Sequence, residues 1–153
     1  MKKFLTASVL AFSFLSLNLA AHAAEQGTAD EASAMVKKAI VFLKANGKDK
    51  TLAEASNGKG QFIDRDLYLS IYDMSGKVVA HGTNAKLIGK DVSDLRDADN
   101  KYFIKEIMEK AKSSGKGWVD YKWVNPVSKE IQAKSVYLEK ADDVIIASGF
   151  YKK

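Results

Sequence analysis

The sequence has no cysteine, one proline and two histidines among its 153 residues. Without thiols there is no disulfide framework, no thiolate zinc or iron–sulfur site, no cysteine nucleophile and no cysteine to carry a lipid. Motifs that announce catalysis are also missing: there is no G-x-S-x-G elbow, phosphate loop, H-E-x-x-H pair or dinucleotide fingerprint. No enzyme activity and no cofactor are therefore expected. At 46% hydrophobic and 28% charged, the chain has the balance of an ordinary folded domain, not of a collagen-like or disordered polymer. Its length suits one domain.

The longest apolar run is at the start. Lys2 and Lys3 precede an uncharged stretch from Phe4 to Leu19, and Ala21-His22-Ala23 follows with small residues at the positions a signal peptidase inspects. The run is shorter than the roughly 20 residues a membrane-spanning helix needs. Residues 1–23 are expected to be a signal peptide cleaved after Ala23, leaving residues 24–153 as one periplasmic or secreted domain with no membrane insertion. Removing two lysines and no acid lowers the net charge from +5 to +3, and it leaves His81 as the sole histidine. A multi-histidine metal site is thereby excluded. The remaining lysines are scattered among acids, so nucleic acid is not an expected partner.

Thr28-Ala29-Asp30-Glu31 reads as a capping box opening a helix over about 28–46, with Met35, Val36, Ala39, Ile40 and Leu43 at helical spacing and Asn46-Gly47 as its stop. Thr51 to Ala55 could form a second short helix capped by Thr51. Leu67 to Tyr72 alternates with period two, Asp73-Met74-Ser75-Gly76 is a turn, and Lys77 to His81 returns as a strand. Gly82 to Ala98 is a long polar connection. Asp99 to Ser113 reads as an amphipathic helix. Trp118–Val124, Ile131–Glu139 and Val144–Tyr151 read as three more strands. This order predicts an α+β domain, an antiparallel sheet with helices segregated to one face.

Side-chain parity assigns Leu67, Leu69 and Ile71 to the helix face and Tyr68, Ser70 and Tyr72 to the other. An even-length turn adds Val79 and His81 to the tyrosine side, and an odd one reverses that. The meander supplies Trp118, Tyr121, Trp123 and Tyr137 with Lys134 among them, and an even turn sets Tyr121 opposite Lys134. A lysine and phenols on one face can hold a small organic anion. Tyr121, Trp123 and Lys134 are the first candidate contacts, followed by Tyr72, His81 and Tyr137. Asp91, Asp94, Asp97 and Asp99 crowd the long connection, but Lys90, Arg96 and Lys101 interrupt them without EF-hand spacing. A self-paired solvated loop is the expectation there, and no metal site.

Several blocks in sequence resemble a single Cache domain: Phe62–Tyr72, Asp73-Met74-Ser75-Gly76-Lys77-Val78-Val79-Ala80-His81-Gly82, Leu87-Ile88-Gly89-Lys90-Asp91 and Asp97–Phe103. Gly117–Trp123, Asn125-Pro126, Lys134-Ser135-Val136-Tyr137 and Ser148-Gly149-Phe150-Tyr151 continue the match. The resemblance implies a PAS-like extracytoplasmic sensor fold, with a long N-terminal helix on one face of the sheet and a ligand pocket on the other. It implies binding of a small carboxylate or amino-acid-like metabolite. The chain ends at Lys153 with no output region, so it is expected to act as a stand-alone secreted module serving a membrane chemoreceptor, histidine kinase or transporter. The alternative is a periplasmic protein–protein interaction module that docks on such a partner and has no ligand of its own.

Overall fold

The computed structural model describes residues 26–152, and the signal peptide expected over residues 1–23 lies outside them. Helix α1 spans Ala29–Asn46. The Thr28 side chain accepts the Glu31 N–H at 3.3 Å and the Glu31 carboxylate accepts the Thr28 N–H at 2.8 Å, so the capping box forms in full. The other Glu31 oxygen accepts from Arg65 at 2.6 Å and ties the helix start to the sheet. Ala32, Met35, Val36, Ala39 and Leu43 are the buried stripe. Gly47, at φ 82°, ends the helix in a conformation that favours glycine. Helix α2 (Lys48–Ala55) starts three residues ahead of the expected cap. Thr51 is interior to it, and its buried hydroxyl donates to the Gly47 carbonyl at 2.8 Å.

Six antiparallel strands follow: β1 (Ile63–Asp64), β2 (Leu67–Asp73), β3 (Val78–His81), β4 (Lys116–Val124), β5 (Ile131–Ala141) and β6 (Val144–Tyr151). Strands β2, β6, β5 and β4 lie side by side in that order, and β1 and β3 pair with the start and the end of β2. The two-residue β1 carries no period-two signal in the sequence.

Helix α3 (Phe103–Ser114) begins four residues later than its apolar spacing suggests. The reason is Asp97: one carboxylate oxygen accepts the N–H groups of Asp99 and Lys101, both at 2.9 Å, and Asn100 takes φ 63°, folding residues 97–101 into a turn. The second Asp97 oxygen accepts the Lys122 N–H at 2.9 Å, and Lys101 Nζ donates to the Asp120 carbonyl at 2.5 Å. The turn is thus fastened to the outer edge of β4.

The sheet separates two apolar clusters. On one side α1 and α2 cover Phe62, Leu67, Leu69, Ile71 and Ile146. On the other, Phe103, Ile104, Ile107 and Met108 of α3 meet Val78, Val119, Val136, Leu138 and Ile145. The expectation that all helices share one face is therefore corrected. The first face is already occupied by α1, and the apolar residues opposite it need the α3 stripe for cover. Among the described residues no helix is long and apolar enough to cross a membrane.

Replacing Thr28 with alanine removes the cap hydroxyl while sparing the apolar stripe. Denaturant titration should show a loss of about 1 kcal/mol, and unchanged stability would mean that the Glu31–Arg65 pair alone holds the helix start.

Candidate functional site

The register of the β2–β3 hairpin decides which side chains share the face opposite α1. Ser70 pairs with His81 and Ile71 with Ala80, after which a bulge shifts the register so that Tyr72 faces Val78. His81 therefore joins Tyr68, Ser70 and Tyr72. Val79 does not: the bulge turns it toward the α1 cluster, and Val78 takes its place beside Tyr72. A one-residue bulge reverses parity on one side only, which a uniform even turn does not allow.

On the meander, Tyr121 pairs with Lys134, and Lys134 with Tyr151 of β6. Tyr72, His81, Tyr121 and Trp123 line a closed cavity together with Tyr68, Ser70, Leu87, Leu95, Phe103 and Ile104. The 82–102 connection, carrying a single 3₁₀ turn at Ala85–Leu87, supplies its roof. The enclosed space is about 10 Å³, room for roughly one water molecule. Phe103 closes one side, stacked on Tyr121 at 4.0 Å between ring centroids and 5.3 Å from Trp123.

Tyr137 is on the wrong face. It lies three residues from Lys134 in the same strand, and odd separations point to opposite sides of a sheet. Its neighbours are Trp118 at 5.1 Å and the Glu139 carboxylate, which accepts its hydroxyl at 2.6 Å. Burial and that carboxylate push the phenol up to about 12. Trp118, packed against Tyr137 and Phe150, is on the α1 side with it.

Lys134 is 2% exposed. Its Nζ donates to the Tyr68 hydroxyl at 2.8 Å and to that of Tyr151 at 3.4 Å, and it stands 4.0 and 4.7 Å from the two ring centroids. Gly149 makes this reach possible. A Cβ there would meet Val136 Cγ2 at 2.5 Å and Lys134 Cε at 2.9 Å, so the lysine stem crosses β6 over a residue with no side chain. Among the described residues Lys134 makes no ion pair. Cation–π and phenol contacts only partly offset the loss of water around a buried ammonium.

The imidazole of His81 is held in one tautomer. Its Nδ1 accepts the N–H groups of Thr83 at 3.3 Å and Asn84 at 3.1 Å, so the proton of the neutral ring is on Nε2. Burial, reinforced by the Lys134 charge, lowers its pKa to about 4. Burial also raises the Tyr72 and Tyr121 phenols, which stay protonated at neutral pH. The residues that line the cavity therefore present an N–H and several hydroxyls and no carboxylate, and the Lys134 ammonium stands directly behind that wall, donating to the Tyr68 hydroxyl. Such a donor set suits an anion. Tyr68, Tyr151 and Phe103 are absent from the sequence-derived candidates. The parity of Tyr68 with Tyr72 was a usable signal, whereas the convergence of Tyr151 and Phe103 needed the strand order and the late start of α3.

The crowded aspartates are self-paired: Asp91 accepts the Ser93 N–H, Asp94 pairs with Lys105 and Asp99 with Lys122. Among the described residues no group of three acids or histidines could hold a metal ion.

Because the folded His81 pKa lies below the ordinary 6.5, the unfolded chain binds the extra proton first as pH falls. Stability should be flat above pH 6.5 and decline between 6.5 and 4, by about 3 kcal/mol for a shift of this size. His81→Gln should lose correspondingly less over that window in denaturant titrations. Equal losses in both proteins would assign the decline to other groups.

Comparison with known proteins places this geometry. A family model described as Single Cache domain 2 matches residues 12–153. The methyl-accepting chemotaxis protein McpP of Pseudomonas putida is 36% identical over 90 residues, covering 58% of this chain but only 16% of that protein's length. A Cache chemosensory domain that recognises carboxylic acids is 27% identical and superposes with a TM-score of 0.69 over 81% of this chain and 92% of that one. A methyl-accepting chemotaxis protein from Vibrio parahaemolyticus is 25% identical, with a TM-score of 0.68 over 80% of this chain and 86% of that one. With its cavity between the central sheet and the roof, and with nearly its whole length matched, this chain belongs to the single Cache domain 2 family.

Proposed function

We propose that this domain binds a small carboxylate in the cavity under the 82–102 connection, and does so outside the cytoplasm as the sensing part of a larger signalling or uptake apparatus. The observation that carries this reading is Lys134, a buried ammonium with two phenol contacts and no carboxylate partner among the described residues. A ligand carboxylate at this point would satisfy the charge and also accept from the Tyr68 hydroxyl and His81 Nε2–H. Tyr72 and Tyr121 supply further hydroxyls, and Trp123 and Phe103 supply apolar wall. The similar domain that recognises carboxylic acids supports the same ligand class.

The lining also narrows that class. An amino acid brings an ammonium that needs an acceptor, and the cavity walls contain no carboxylate to receive it. Leu87, Val92, Leu95 and Ile104 suit a short apolar tail instead.

The cavity holds roughly one water, so a carboxylate enters only if a wall moves. Strands β2 and β4 are fixed by ladder hydrogen bonds. Residues 89–92 are pinned to the start of β3 through the pairs Gly89 N–H to Val78 O at 2.8 Å and Val78 N–H to Lys90 O at 2.9 Å. The movable parts are residues 93–96, between that pinned segment and the Asp97 tether to β4, and the Phe103 ring.

Calorimetry of the purified protein with acetate, propionate and an amino-acid panel tests the ligand class: a short carboxylate should bind and the amino acids should not. Lys134→Met should weaken that binding by a hundredfold or more, since a buried charge contact is worth several kcal/mol. Retained affinity would remove Lys134 from the site. Displacement of Phe103 should change Trp123 fluorescence on saturation, and a spectrum unaffected by a bound ligand would place the moving wall elsewhere.

A further inference from the structure

Lys134 is one of two buried side chains with a formal charge among the described residues; the other is Asp66, also 2% exposed. Asp66 sits in the turn between β1 and β2, where its Oδ1 accepts the Gly27 N–H at 2.7 Å. Its Oδ2 is buried with no hydrogen-bond partner among the described residues. A carboxylate kept dry for structure alone would be expected to have both oxygens occupied.

Its position relates it to the pocket. Strand β2 pairs antiparallel with β6 as far as Leu69 and Ser148, so Asp66, just before the start of β2, lies at the end of the sheet where β6 finishes at Tyr151. Tyr151 in turn pairs with Lys134. Asp66 and Lys134 thus lie toward the same end of the sheet, and with β6 between β2 and β5 their backbones are roughly 10 Å apart, two strand spacings. The Tyr151 hydroxyl accepts from Lys134 Nζ at 3.4 Å. Its pKa is raised chiefly by burial, and the Tyr68 phenol and the negative charge of Asp66 add to the shift. Its hydroxyl is 3.5 Å from that of Tyr68 and donates to the Val124 carbonyl at 2.8 Å.

We propose that Asp66 is the built-in counter-charge of Lys134 and limits the pocket to ligands with a single negative charge. The inference rests on the reading of the cavity as a carboxylate site. Together the two residues make the empty site neutral overall. A monocarboxylate meets the Lys134 attraction against one distant repulsion. A dicarboxylate brings a second negative charge into the field of Asp66 with no second cation to receive it, since Lys134 is the only buried cation among the described residues. At an effective dielectric of about 20, charges about 10 Å apart interact strongly enough to change an affinity roughly tenfold.

The test is calorimetry of the purified protein and its Asp66→Asn variant with acetate and with malonate. Asparagine keeps an oxygen for the Gly27 N–H and removes only the charge. Wild type should prefer acetate. The variant should bind acetate about tenfold tighter and gain more for malonate, so that the acetate preference shrinks. A purely structural role for Asp66 predicts a lower melting temperature with acetate affinity unchanged or weaker, and that result overturns the proposal, as does an equal gain for both ligands. Should Asp66→Asn not fold, Asp66→Ser offers the same acceptor. Wild-type protein that binds malonate as tightly as acetate overturns the proposal without any variant. Wild-type protein that binds neither refutes the carboxylate reading itself, an outcome distinct from the others.

Discussion

An ammonium group taken out of water must be compensated by whatever surrounds it, and among the described residues the Lys134 Nζ finds only two phenols and their two aromatic faces within reach. That shortfall organises the neighbourhood. The ammonium adds to burial, the larger cause, in favouring the neutral form of the His81 ring, which the backbone of residues 83–84 then fixes in orientation. It requires a glycine at position 149, because any side chain there would occupy the path of the lysine stem. It leaves the pocket short of one negative charge at short range, which is the physical basis for reading the domain as a receptor of anions.

The sheet makes such a site possible by dividing its labour. One face is covered by α1 and α2 and is mainly apolar, which supplies the burial that holds the domain together. The other face can then keep tyrosines, a serine, a histidine and a lysine inside, because α3 and the roof seal it with Phe103, Ile104, Leu95 and Val92. The division depends on the bulge in the β2–β3 hairpin, which keeps His81 with the tyrosines while sending Val79 to the other cluster.

Much of this arrangement could be read from residue order, because local chemistry decides it. The capping box of Thr28 and Glu31 and the period-two run from Leu67 to Tyr72 follow from neighbours a few positions apart, and the pairing of Tyr121 with Lys134 follows from the even-length turn between β4 and β5. What eluded the sequence depends on distant contacts. Asp97 delays α3 by gripping amides on both sides of the turn and one on β4. α3 settles on the second face because α1 already covers the first. Tyr137 illustrates a different limit: composition groups it with the pocket aromatics, whereas its odd separation from Lys134 in β5 puts it on the opposite face. Asp66 gave no signal, since an aspartate in a turn is ordinary until its burial is known.

The fastening of residues 97–101 to β4 has an effect beyond the pocket. A terminal strand with free amides and carbonyls invites another chain to add to it. Here the Lys122 amide is taken by Asp97 and the Asp120 carbonyl by Lys101, so that two of the groups a foreign strand would need are already bound. The tether that shapes the roof thereby also guards the sheet against edge-to-edge polymerisation.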